Sequence, residues 1–89
     1  MKAIITIFGK DKVGIIASVA TLLAKHNVNI LDITQTVMRE YFTMTMLVDL
    51  SGSKTEFIVL QDELSKKGQE LKMDIRIQRE DIFEKMYEI

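Results

Sequence analysis

The residues best suited to chemistry lie in one short turn. Gly9-Lys10-Asp11-Lys12-Val13-Gly14 has the G-x-x-x-x-G spacing of a phosphate-binding loop. Such a loop continues with Lys and then Ser or Thr, which hold phosphate and Mg²⁺. Here Ile15 and Ile16 follow instead, and Asp11 would repel a phosphate. A carboxylate fits the turn better. The pattern predicts that the turn opens a helix, whose first backbone N–H groups lack intrahelical partners. Those groups, near Val13, Gly14 and Ile15, can hold an anion. Gly14 has no Cβ, so either a ligand approaches the backbone there or helix and strand pack closely. Asp11 reads as the helix N-cap or as an acceptor for a ligand ammonium. Asn29, at the predicted start of the second strand, carries both a donor and an acceptor. It orients a ligand or bonds its own backbone.

Other chemistry has no carriers. His26 is the sole histidine and there is no cysteine, so no transition-metal cluster is expected. His26 reads as a dipole partner at a helix C-terminus with no nucleophile beside it. Asp62 and Glu63 are adjacent on a predicted helix and read as solvated surface. The methionines read as core filler, with a Met-lined pocket around Met38, Met44 and Met46 as the alternative. No cofactor is implied, and no catalysis is expected.

The bulk properties bound the partners. The chain has 89 residues with 47% hydrophobic content and a net charge of −1. That is one domain, with no electrostatic reason to seek nucleic acid or an anionic membrane. The N-terminus runs straight into an apolar β-like segment and lacks a signal-peptide pattern, so a cytoplasmic location is expected. A domain this small has a thin stability margin, and without disulfides the common remedy is oligomerisation. A homodimer or higher assembly is expected.

The elements that must position the turn follow from periodicity. Residues 3–8 form an apolar run, expected as a central strand buried on both faces. From Ile15 the period is helical, with Ile15, Ile16, Val19, Leu22 and Leu23 on one face. Asn27 is placed for a left-handed helix end. Residues 29–39 form a second strand, Glu40-Tyr41 a tight hairpin, and residues 42–50 a third strand. In that third strand Phe42, Met44, Met46, Val48 and Leu50 face inward. Ser53 and Glu56 read as a capping box, Phe57, Leu60 and Leu64 as the buried side of a second helix, and Gly68 as its terminator, with Lys66 and Lys67 in its last turn. Residues 71–78 alternate as a fourth strand. Ile82, Phe83, Met86 and Tyr87 mark one face of a short C-terminal helix, about 80–88. The class is α+β: a ferredoxin-like βαββαβ sandwich, with a four-stranded antiparallel sheet, two helices on one face and the C-terminal helix. Residues 1–89 form one domain with its core at about 3–78.

The stretch F-G-K-D-K-V-G-I-I-A-S-V-A-T-L-L-A-K-H-N-V-N-I resembles the opening of an ACT domain, with its D/N-x-x-G turn, amphipathic helix and N-I at the second strand. The tail I-F-E-K-M-Y-E-I is similar to the ending of standalone ACT-domain proteins of about ninety residues, which resemble the glycine-cleavage regulator type. The resemblance implies a regulatory module that binds an amino acid or similar small ligand at a dimer interface. It implies ligand contacts at Asp11, Val13, Gly14, Ile15 and Asn29. Two departures stand out: Val13 replaces the frequent Pro, and Asp11 stands where the serine-binding type has Asn.

Three other classes remain to be weighed. A structural or protein-interaction domain would dimerise or dock without a small ligand. An RNA-binding module on this layout needs exposed aromatics on its central strands and a basic face; threonines and a net charge of −1 count against it. An acylphosphatase needs an arginine in the first loop, where only Lys10 and Lys12 stand.

Overall fold

The structure, a computed structural model, describes residues 1–10 and 14–82. Its elements are β1 (Lys2–Lys10), α1 (Ile15–Lys25), β2 (Asn29–Met38), β3 (Tyr41–Asp49), α2 (Phe57–Leu71) and β4 (Asp74–Arg79). Residues 80–82 open a helical turn, and the rest of the expected C-terminal helix, with Phe83, Met86 and Tyr87, lies outside the described residues.

The strands form one antiparallel sheet in the order β2-β3-β1-β4. This is the ferredoxin-like arrangement expected from the alternation of elements. Strand β1 is central, as its β-branched run implied, but only one of its faces is sealed. Ala3, Ile5 and Ile7 are fully buried, whereas Phe8 is exposed. Strand β3 alternates as expected: Phe42, Met44, Met46, Val48 and the following Leu50 are all buried. With Val19, Leu23, Leu60, Leu64, Met73, Ile75 and Ile77 they make a single core between sheet and helices. Met44 and Met46 are core residues, while Met38 is exposed.

Several local expectations are corrected. The N-cap position of α1 is held by Gly14 at φ 87°, with no side-chain cap, and Asp11, the expected cap, lies outside the described residues. Ile16 is 40% exposed and does not share the buried side of Ile15 and Val19. The hairpin turn is Arg39-Glu40, one residue earlier than expected, with Arg39 left-handed at φ 57°. Ser53 and Glu56 form no capping box: Ser53 Oγ accepts the N–H of Thr55 in a local turn, and Glu56 itself precedes the helix without a side-chain cap. Helix α2 does not end at Gly68 and carries no cation in its last turn. It continues to Leu71 and closes on left-handed Lys72, which delays β4 to Asp74. Gly68 instead lets the helix approach β4. A Cβ there would lie 2.7 Å from the Met73 carbonyl oxygen.

Candidate functional site

The turn after β1 and the start of α1 form one half of the candidate site. Gly14 is exposed and adopts φ 87°, a backbone region that suits glycine. A Cβ built on it meets nothing within 4 Å. The glycine is therefore required by its conformation, and the space beside it is open. Ile15 starts α1 with its side chain in the core, and its backbone N–H belongs to the first turn, where no intrahelical acceptor is available. Asp11 and Val13 lie outside the described residues.

The other half lies far away in the same chain. Asn29 begins β2 and is exposed; it pairs with Asp49, which pairs with Lys2. The turn leaves the sheet beyond Lys10, which pairs with Tyr41, which pairs with Met38. Eight residue steps of strand, about 26 Å, separate these two ends. One copy of the chain therefore does not bring Gly14 and Asn29 together.

Strand β2 is the edge that offers a second copy a place. Its outer side pairs with no other described strand, and a bulge at Leu31 shifts its register against β3. On its helix side Ile33 and Val37 align with buried Met46 and Phe42 of β3, yet Val37 is 56% exposed. Among the described residues no helix covers them. The flank of α1 explains why. His26 reaches α2, so the ridge Ile15-Val19-Leu22-His26 faces α2, and Ile16 lies on the opposite flank, towards β2. Among the described residues, Ile16, Ile33 and Val37 are thus an uncovered apolar margin beside the free edge of β2.

His26 has partners that sequence reasoning missed. Its Nδ1 lies 2.7 Å from Thr55 Oγ1, and its Nε2 pairs with the Glu63 carboxylate. Glu63 is therefore not solvated surface, unlike its neighbour Asp62, which pairs with Lys66 at i,i+4. The spacing of His26 and Glu63 in the chain gave no signal, because the contact depends on how the helices cross. The open sheet face also departs from expectation. It carries threonines, and it also carries Phe8 and Tyr41, whose rings stack with centroids 6.1 Å apart. Among the described residues no three His, Cys, Asp or Glu side chains cluster for a metal. No described helix is long and apolar enough to cross a membrane.

The sequence profile of the ACT domain matches residues 2–78. The chain belongs to the ACT-domain family. A UPF0237 protein of Clostridium acetobutylicum is 58% identical over 86 residues, 97% of each chain. An ACT-domain protein from Streptococcus pneumoniae superposes with a TM-score of 0.82 at 50% identity, covering 94% of each chain. A protein assigned as a glycine cleavage system transcriptional repressor superposes with a TM-score of 0.70 at 25% identity, over 86% of this chain and 44% of that one. Residues 2–78 span all the strands except the last residue of β4, so the ACT match and the observed sheet describe the same unit.

Proposed function

We propose that this ACT domain is a non-catalytic regulatory module whose ligand, an amino acid or similar small polar molecule, sits between two copies of the chain. The observation that carries this reading is the separation of Gly14 from Asn29. Antiparallel pairing of β2 with its own copy, about a two-fold axis normal to the sheet, sets the partner's Asn29 opposite Met38. That is the end from which the Gly9–Gly14 turn departs. The same pairing satisfies the free edge and covers Ile16, Ile33 and Val37. The backbone N–H groups near Val13, Gly14 and Ile15 take the ligand carboxylate. Asp11 takes the ammonium, and the partner's Asn29 fixes orientation. The similarity to a protein assigned as a repressor supports a regulatory rather than a catalytic role.

A second reading rests on the same edge: β2 docks a second copy with no small ligand. A thermal-shift screen against the twenty amino acids, joined to light scattering, separates the two. A ligand at 100 times its Kd raises stability by about 2.7 kcal/mol. A dimer that responds to no amino acid favours the docking module. A monomer at micromolar concentration overturns both.

A further inference from the structure

The sheet face away from the helices carries a second feature, at the hairpin end of β2 and β3. By alternation and register, Phe8 and Lys10 of β1, Tyr41 and Thr43 of β3, and Thr36 and Met38 of β2 all project from this face. Phe8, Met38 and Tyr41 are exposed by 49%, 68% and 42%. They surround a cleft of about 160 Å³ that Thr36 and Thr43 complete. The hollow exists because two short threonines sit among three large side chains. The rings of Phe8 and Tyr41 lie within 8° of parallel, so one wall is already ordered.

We infer that this cleft is a ligand site, separate from the turn, that takes a single aromatic ring bearing a carboxylate. The size argues for one ring: an apolar cavity of about 150 Å³ accommodates benzene. The walls suit a ring, since aromatic side chains stack on it and the Met38 thioether approaches its edge. The surrounding charge selects the carboxylate. Lys10 is directly opposite Tyr41 on the same face, and Arg39 and Glu40 form the adjoining hairpin turn. Asp74, across from Phe8, is engaged by Arg76 at 3.1 Å, which leaves the Lys10 ammonium to set the sign. A second copy or a folded partner would need a far larger patch than this hollow.

The test uses the full chain with ¹³C-methyl methionine, titrated with benzoate and, separately, benzyl alcohol. Benzoate should shift the Met38 methyl saturably while the buried Met44 and Met46 methyls hold still. Benzyl alcohol should bind more weakly, and Lys10→Gln should abolish that difference. Thr43→Leu fills the hollow and should weaken benzoate by about tenfold or more, with unchanged Met44 and Met46 signals proving the fold intact. Shifts that grow linearly with benzoate, or equal binding by Thr43→Leu, overturn the site. Equal affinity for the alcohol in the parent chain overturns the carboxylate assignment.

Discussion

His26 Nδ1 lies 2.7 Å from Thr55 Oγ1, joining the end of α1 to the loop that enters α2. The other ring nitrogen meets Glu63 on α2 itself. The two ring nitrogens thus face the threonine hydroxyl on one side and the carboxylate on the other. Thr55 is held in turn by its N–H bond to Ser53 Oγ. Three segments thus meet on one side chain, three residues before Asn29. His26→Ala and Thr55→Val should each destabilise by about 1–2 kcal/mol, because each leaves a partner short of a hydrogen bond. The double variant should cost less than the sum of the two. Urea unfolding of all four proteins gives the coupling energy, and strict additivity would show the contact to be idle.

Gly68 separates two explanations for a glycine near a helix end. A terminator resists a methyl group through its left-handed backbone, at about 1 kcal/mol, whereas this glycine lies within the helix and faces the Met73 carbonyl oxygen at 2.7 Å and the Ile75 side chain at 3.2 Å. Gly68→Ala should gain about 1 kcal/mol of helix propensity and lose more to the clash. We expect a net loss of about 1–3 kcal/mol by urea denaturation. A stabilised variant would mean the helix and β4 separate freely.

Lys72 is the true helix end, left-handed at φ 59° and ψ 40°. A side chain with a Cβ pays about 1 kcal/mol in that region. Lys72→Gly should therefore raise the melting temperature by several degrees for a chain this size, although glycine also loosens the unfolded chain. A lower melting temperature would show that the strain is absent.

These two positions show where the sequence was legible. The alternation in β3 and the run in β1 gave the strands and their buried sides directly, because burial follows a period of two. Helix ends depend on single backbone dihedrals and on close approaches between elements. Gly68 looked like a stop because glycine is common there, yet what required it was β4 passing underneath. Ile16 looked buried by helical period, but its side of α1 overhangs the uncovered β2 margin. The turn and Asn29 were each visible from the sequence. Their separation was not, because it follows from the strand order β2-β3-β1-β4.

Asp49 supplies a pH observable at the Asn29 end. The Ser51 backbone N–H, at 3.0 Å, is the main cause holding its carboxyl below the usual range, with the Ser51 hydroxyl second. A depressed pKa contributes stability above the unfolded value that is lost as pH falls through the folded one. Carboxyl ¹³C titration should show Ser51→Ala retaining the larger part of the depression, because the backbone donor survives. A return to the ordinary aspartate value would place the effect on the hydroxyl instead.

The shared-site reading makes a prediction that no single-chain site can reproduce. Gly14→Val should block approach to the turn, and its φ of 87° will also strain a branched residue. Asn29→Ala removes an amide worth about 1–3 kcal/mol of binding where it is buried against the ligand. Each homodimer carries two damaged sites. A mixed dimer of the two variants carries one site damaged twice and one built from an unaltered turn and an unaltered Asn29. Calorimetry on mixed, refolded protein should therefore recover parental affinity at one site per mixed dimer, which is about half a site per dimer overall when the chains pair at random, after circular dichroism has shown both variants folded. If each variant abolishes binding and the mixture recovers none, the turn and Asn29 do not act across a β2 edge. If a ligand binds and both variants hold it as tightly as the parent, the site lies elsewhere and docking alone accounts for the edge.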